Sequence, residues 1–157
     1  MSGLFGPEAD GAVYFSRFDE DELLGSFVSL GFDLEQIHWP TVEHYFQAMQ
    51  FESSSEQERI RLLATPKLAH QEQSGRWFKR RRKDWKTLRT VYLTRAIYTR
   101  CKTHEAANAR LLGTGDVLLI ENDQYDYFWG CGRDRRGENQ FGRVLMDVRE
   151  KLRSEAS

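Results

Sequence analysis

The feature that most constrains the fold is the long segment that begins at Trp85. Apolar residues recur along it mostly every three or four positions, which is the pattern of a helix with one buried stripe. The stripe comprises Trp85, Leu88, Tyr92, Ala96 and Cys101. The arginines between them, at positions 89, 95 and 100, are expected on the other faces. The pattern therefore predicts a long, half-buried helix.

Shorter elements are predicted on both sides of this helix. Residues 13–15 and 117–121 have strand composition, and two apolar stretches around Gly31 suggest a hairpin within residues 27–37. Further helices are predicted at residues 42–52, 56–64, 66–73, 105–112 and 142–153. With 39% hydrophobic and 13% aromatic residues, the chain can bury a core. We expect one α+β domain over residues 13–153, predominantly helical with a few short strands, with flexible ends at 1–12 and 154–157.

Cysteine and histidine usage predicts neither a metal nor another cofactor. The two cysteines, Cys101 and Cys131, do not make a disulfide framework, and no His or Cys pair has zinc-ligand spacing. No apolar run approaches the ~20 residues of a membrane span, and no basic and apolar leader stands at the N terminus. We therefore expect a cytoplasmic protein without a membrane partner.

Positive charge is concentrated in the middle of the chain. Residues 76–110 carry 12 basic and 2 acidic side chains, although the whole chain has a net charge of −1. Such a segment suits phosphate groups on a nucleotide or a polynucleotide, and it also fits a solvated helix surface. An RNA-binding module built on residues 79–86 is less favoured, because the pI is about 6.4 and no RNA-binding signature accompanies the run.

The helix predicted to follow Thr41 carries the first candidate site. Glu43, Gln47 and Gln50 stand at positions i, i+4 and i+7, so their side chains lie along one stripe. A polar stripe on a helix rich in aromatic residues either faces water or lines a pocket. A carboxylate in the first turn can also serve only to complement the helix dipole.

Residues 121–130 carry the second candidate site. Acidic and amide side chains there adjoin aromatic residues that include Trp129. This combination suits a sugar or nucleobase, because the ring stacks while the acid handles protons or stabilises an oxocarbenium-like charge. A surface turn whose aromatic residues plug into the core fits equally well. The glycines at 130–142 could let backbone N–H groups approach an anion, but they match no dinucleotide or P-loop pattern.

Taken together, these segments resemble the YbiA-like family, also called the NADAR family. The most specific part is Pro-Thr-Val-Glu-His-Tyr-Phe-Gln at residues 40–47. Nearly as specific is the tail from Trp129 to Arg149, which reads Trp-Gly…Asn-x-x-Gly…Leu-Met…Arg. The match runs in order and spacing over about residues 14–152.

The resemblance implies cleavage of an N-glycosidic bond. Family members hydrolyse phosphoribosylamino-pyrimidine intermediates of riboflavin synthesis, and related members remove ADP-ribose from guanine bases. The expected partner is thus a small phosphoribosyl or ADP-ribosyl molecule, with nucleic acid only as the carrier of a modified guanine. By this resemblance Glu43 and Asp126 are catalytic and Trp129 stacks on the base. The other substrate-binding residues are Gln47, Gln50, Ser26, Asn139 and, for phosphate, Arg76, Arg100 or Arg149.

The chain departs from the family pattern at several positions. Gln50 stands where lysine is common, and an amide nitrogen cannot act as an amine nucleophile. Glu138 replaces another usual lysine, Arg100-Cys101 replaces a Lys-Phe pair, and the turn at residues 24–27 is altered. Three hypotheses remain open: a different substrate, a mechanism that needs no lysine, or a relative that binds ADP-ribose or a nucleotide without cleaving it.

Overall fold

The computed structural model describes residues 11–74 and 81–157, so Arg76 and most of the N-terminal end lie outside the described residues. The described residues form six α-helices and a short 3₁₀ helix, Gln71–Ser74. The α-helices are α1 (Val42–Met49), α2 (Ser54–Arg61), α3 (Pro66–His70), α4 (Trp85–Thr103), α5 (Glu105–Leu112) and α6 (Gln140–Ala156). None of the described helices is long and apolar enough to cross a membrane.

The described strands form two small sheets. β1 (Val13–Phe15) pairs in parallel with β4 (Leu119–Glu121), and β2 (Phe32–Leu34) pairs antiparallel with β3 (Ile37–Trp39). Because β1 and β4 run in the same direction, the chain leaves both strands at the same edge. That edge is where polar side chains from two distant parts of the sequence meet.

Helix α4 lies at the centre of the packing, in contact with α1, α5 and α6. Its deepest apolar residues are Leu93, Ala96 and Ile97, so the buried stripe is rotated from the predicted one. The expectation that Arg100 faces away from this stripe is wrong, since Arg100 is only 1% exposed. Its guanidinium donates to the carbonyl oxygens of Gly25 and Leu23, which satisfies loop carbonyls inside the core.

The hairpin lies later in the chain than predicted. Its turn is formed by Glu35 and Gln36, both with positive φ (58° and 67°), and not by Gly31. Two successive residues in the left-handed region are the geometry of a tight hairpin turn, which usually takes Asn or Gly. Glu-Gln carries no such signal, so the sequence could not locate the turn.

Several helix ends differ from the prediction because of contacts that the local sequence does not show. Helix α1 ends at Met49, where Arg82 donates to the carbonyl oxygens of Met49 and Gln50. Helix α2 begins at Ser54, two residues before the predicted start, with Ser53 as its N-cap. Helix α6 continues through Ala156, so residues 154–156, expected as part of a flexible end, are helical.

Candidate active site

Two adjoining pockets form one cleft beside α1. Phe46, Gln47, Gln73 and Trp129 line both of them. The first, here called the acid pocket, is completed by Arg17, Glu43, His70, Leu93 and Phe141. The second, here called the basic pocket, is completed by Gln50, Arg81, Trp85, Lys86 and Arg89. The acid pocket is the narrower of the two.

Glu43 lies in the acid pocket and is held by three hydrogen-bond donors. Its Oε1 accepts from Ser26 Oγ at 2.7 Å, and its Oε2 accepts from Gln47 Nε2 at 2.7 Å and His70 Nδ1 at 2.8 Å. Burial raises the pKa of Glu43, but the bonds and charge of His70, followed by Gln47 and Ser26, lower the pKa below its usual value overall. The carboxyl group is therefore ionised at neutral pH although it is only 4% exposed.

Glu43 owes its position to the start of α1. Thr41 is the N-cap and accepts from the backbone N–H of His44, which fixes the first turn. The backbone N–H of Glu43 itself donates to the carbonyl oxygen of Ser26 at 3.0 Å. The loop that carries Ser26 is thus attached to Glu43 through both its backbone and its hydroxyl group. Ser26 supports the carboxylate and does not line the cleft.

His70 completes the acid pocket from the end of α3. Since a carboxylate only accepts, the hydrogen between His70 and Glu43 belongs to His70 Nδ1. The ring also packs edge-on against Phe18 and Phe27, which restrict its rotation. His70 Nε2 has no hydrogen-bond partner among the described residues, and the ring lines the acid pocket. It can therefore accept or donate a proton at that surface.

Arg17 contacts the acidic residues at the end of β4 and in the loop after it. Its guanidinium lies 2.8 Å from Glu121 Oε1, 3.0 Å from Asp126 Oδ2 and 3.4 Å from Asp123 Oδ2. Arg17 follows β1 and Glu121 ends β4, so the parallel pairing of these strands brings the groups together. Burial raises the pKa of Glu121, and the adjacent Arg17 offsets part of that rise. Three carboxyl groups thus share one guanidinium next to Glu43.

Asp126 fixes the backbone conformation of the loop that follows β4. Its Oδ1 accepts from the backbone N–H groups of Phe128 and Trp129 at 2.9 and 2.7 Å, while its Oδ2 faces Arg17. Both carboxylate oxygens are therefore engaged, and Asp126 does not line either pocket. The bonds to residues 128 and 129 fix the backbone that carries Trp129. The indole lines both pockets and meets Phe46 edge-on, with ring centroids 5.4 Å apart.

Gln47 and Gln50 connect the two pockets. Gln50 Nε2 donates to Gln47 Oε1 at 3.1 Å, and Gln47 Nε2 donates to Glu43 Oε2. The predicted polar stripe on α1 is thus a continuous chain of hydrogen bonds that ends at the carboxylate. Gln50 orients the Gln47 amide so that its nitrogen, and not its oxygen, faces Glu43.

Three other residues predicted to bind substrate lie away from the cleft. Arg100 is buried against the loop at residues 23–25, and burial lowers its pKa to about 10. Arg149 donates to Thr114 Oγ1 and to the carbonyl oxygen of Val117, both at 2.9 Å. Asn139 bonds the backbone of Leu119 and Glu121, which anchors the start of α6 to β4. All three hold the scaffold that surrounds the site.

Among the charged or titratable residues of the cleft, the sequence did not indicate a role for Arg17, His70 or Arg89. Arg17 stands alone among acidic residues near the N terminus, and His70 ends a short, polar helix, so neither carries a local motif. The helical spacing predicts Arg89 on a face away from the buried stripe and indicates no role for it. Proximity to Glu43 in the folded chain is the signal that identifies the first two.

The described residues contain no group of three or more His, Cys, Asp or Glu side chains arranged to hold a metal ion. The carboxyl groups near Arg17 are bonded to that guanidinium and to backbone N–H groups. The acid pocket is lined by the Glu43 carboxylate and the His70 imidazole.

Comparison with known proteins gives consistent matches. A model of the NADAR domain matches residues 4–153. N-glycosidase Npun_R5314 of Nostoc punctiforme is 39% identical over 133 residues, which are 82% of this chain and 84% of that protein. N-glycosidase YbiA of Escherichia coli K12 is 31% identical over 88% of this chain and 86% of its own. Riboflavin biosynthesis protein VVA0006 of Vibrio vulnificus is 32% identical over 92% of this chain but 39% of its own length.

The similarity extends to three dimensions. The NMR structure of E. coli YbiA superposes on this fold with a TM-score of 0.82 and 31% sequence identity. The superposition covers 92% of this chain and 86% of that one. The predicted α+β class, mostly helical with short strands, is thereby confirmed.

Proposed function

Because the chain belongs to the NADAR family, as its motifs predicted, we propose that it is an N-glycosidase. The bond it hydrolyses joins a heterocyclic base or amine to a phosphorylated ribose. The observation that carries this proposal is the ionised, almost fully buried Glu43 in a cleft lined by Trp129 and Phe46. A fixed negative charge beside an aromatic wall stabilises the positive charge that develops on a ribose as its base departs.

The residues of the acid pocket suggest a sequence of steps. The C–N bond breaks, its electron pair passes to the nitrogen of the base, and Glu43 stabilises the oxocarbenium-like sugar. A water molecule then attacks the same carbon while His70 Nε2 takes a proton from it. That proton is passed to the departing nitrogen, which leaves His70 as it was. Glu43 serves twice, because it also holds His70 in the tautomer whose Nε2 can accept.

Three further residues, Ser26, Gln47 and Asp126, act through other residues. Ser26 and Gln47 donate to Glu43 and keep it ionised. Asp126, predicted to be catalytic, is proposed here as a positioning residue, because its oxygens face Arg17 and the backbone of residues 128 and 129. Trp129 supplies the surface on which the planar base would lie.

A second candidate function is binding of ADP-ribose or a nucleotide without cleavage. The observation that favours it is Gln50, at the position where family members commonly have lysine. The proposed mechanism uses no amine nucleophile, so hydrolysis by the wild-type chain does not require a lysine at position 50. If a lysine is obligatory, wild-type protein binds ligand without turnover and Gln50→Lys gains activity.

The test is direct incubation with both substrate classes, phosphoribosylamino-pyrimidines and ADP-ribosylated guanine nucleotides, followed by chromatographic assay of the free base. Catalytic release of base from at least one of them is expected. Saturable binding with no release from either class, together with activity in the Gln50→Lys variant, would contradict hydrolysis by the wild-type chain.

A further inference from the structure

The basic pocket holds three cationic side chains that have no ion-pair partner among the described residues. These are Arg81, Lys86 and Arg89, of which the last two lie on the first turns of α4. Several arginines outside the cleft are ion-paired, for example Arg59 with Glu72, Arg95 with Glu35 and Arg110 with Glu22. The three side chains of the basic pocket are instead placed where a ligand in the cleft would meet their charge.

Arg89 is the best defined of the three. Its guanidinium carbon lies 3.5 Å from the centre of the Phe128 ring and 5.8 Å from that of Trp129, so aromatic residues hold it in place. Its Nε is buried and has no hydrogen-bond partner within the described part of the chain. Burial lowers the pKa of Arg89, and the nearby Asp126 and Glu138 counteract this only in part. A half-buried guanidinium in this state gains from an anionic ligand.

The position of these cations indicates which kind of anion would bind to them. Gln47 and Trp129 line both pockets, so a ligand whose reacting carbon lies near Glu43 extends directly towards Arg89. A phosphate group presents several oxygens to three donors at once, and arginine binds it with paired hydrogen bonds. An extended polynucleotide would instead need cations spread along an open surface.

We infer that the basic pocket binds the phosphate group of the substrate, through Arg89 and Lys86 with Arg81 at the rim. The inference rests on the proposed function for the identity of the rest of the ligand. It replaces Arg100 and Arg149, whose guanidinium groups are engaged within the scaffold. It also assigns a function to part of the basic segment at residues 76–110, for which the sequence alone fits a solvated helix surface equally well.

The experiment measures dissociation constants by calorimetry for ribose 5-phosphate, ADP-ribose and unphosphorylated ribose. Arg89→Gln and Lys86→Gln are compared with wild type, and Arg95→Gln is the matched control. Arg95 lies on the same helix but pairs with Glu35 outside the cleft. Each pocket variant is expected to weaken both phosphate ligands by about tenfold or more, as loss of a charge-assisted hydrogen bond does. The control should remain within about twofold of wild type.

Two variants, Lys86→Gln and Arg89→Lys, test the inference even if Arg89→Gln disturbs the packing on Phe128. Lys86 is exposed, so Lys86→Gln should leave the melting temperature unchanged. Arg89→Lys keeps the charge and should bind more tightly than Arg89→Gln. A larger loss for ADP-ribose than for ribose 5-phosphate would assign the pocket to a diphosphate, and an equal loss to a single phosphate.

Two results overturn the inference. One is an equal effect of Arg95→Gln and the pocket variants, or no effect of any of them. The other is binding of single-stranded RNA through these residues without binding of ribose 5-phosphate. Failure of the proposed function looks different, because wild type would then bind the phosphate ligands through Arg89 yet release no base.

Discussion

His70 Nδ1 lies 2.8 Å from Glu43 Oε2 and joins two positions that are 27 residues apart in the chain. The carboxylate fixes both the tautomer and the direction of the imidazole, and Phe18 and Phe27 hold its ring from the side. A histidine held in this way presents one nitrogen to its partner and the other to a reacting molecule. In the proposed mechanism the two residues therefore act as a pair.

Replacement of His70 by asparagine should abolish most of the activity without unfolding the protein. Asparagine can still donate towards Glu43, but it has no basic nitrogen for the proton of water. We expect kcat to fall by about 10²–10⁴-fold with a smaller change in KM. The control is His38→Asn, because His38 forms a similar bond with Asp33 at an exposed site outside the cleft. Equal kcat values in the two variants would remove His70 from the mechanism.

Changes at Gln50 should act through the orientation of the Gln47 amide. Gln50→Glu places an acceptor opposite Gln47 Oε1, so the amide turns and its oxygen faces Glu43. We expect kcat to fall by roughly tenfold or more for this variant, consistent with loss of one donor to a buried charge. Gln50→Lys retains a donor and should remain close to wild type. If Gln50→Glu is as active as wild type, the hydrogen-bond chain through Gln47 has no catalytic role.

Asp126→Asn should be tolerated far better than changes at Glu43 or His70. Asparagine keeps the oxygen that accepts from the N–H groups of residues 128 and 129, and Arg17 retains Glu121 as a partner. We expect kcat to stay within about tenfold of wild type, and assays on the same substrate as for His70 measure it. A loss as large as that of a Glu43 variant would return Asp126 to the role of a catalytic carboxylate.

The sequence predicted the helices better than the site. The period of apolar residues and the Thr41 cap located α1, α4, α5 and α6, because helix formation depends on neighbours three and four positions away. The polar stripe of Glu43, Gln47 and Gln50 was also recognisable from spacing. Each of these features depends on residues close together in the chain.

Long-range contacts were not predictable in this way. The parallel pairing of β1 with β4 joins residues more than a hundred positions apart, and it helps to bring Arg17 to Glu121 and Asp126. Likewise, the burial of Arg100 depends on carbonyl groups of a distant loop. A single sequence contains the arginines but does not show which of them will be paired, buried or left facing a cleft.

His44, adjacent to Glu43, makes the fold sensitive to mild acid. Its Nε2 donates to the carbonyl oxygen of Leu63 at 2.9 Å, and its Nδ1 lies 2.8 Å from Thr41 Oγ1. Burial lowers the pKa of His44 below 6.5, only partly opposed by the Leu63 bond and the charge of Glu43. The folded protein therefore binds this proton less readily than the unfolded chain. The stabilising contribution is present above about pH 6.5 and is lost as the pH falls towards the folded-state pKa.

Urea unfolding at several pH values checks this behaviour. We expect the free energy of unfolding of wild type to decrease below pH 6.5, by up to about 1.4 kcal/mol per pH unit from this one group. His44→Gln should be less stable at pH 7.5 by about 1–3 kcal/mol, since a buried hydrogen bond is lost, but should show a flatter pH dependence. Identical slopes in the two proteins would contradict the assignment.

The most direct test of the account is the rate of base release by Glu43→Gln. Glutamine is nearly isosteric but carries no charge, so it removes the stabilisation of the sugar cation and the charge that faces His70 together. Glu22→Gln is the matched control, because Glu22 is a partly buried glutamate with a lowered pKa that pairs with Arg110 outside the cleft. We expect a fall in kcat of about 10³-fold or more for Glu43→Gln and wild-type kcat for Glu22→Gln. Base release by Glu43→Gln at the wild-type rate, from a folded protein, would contradict the account.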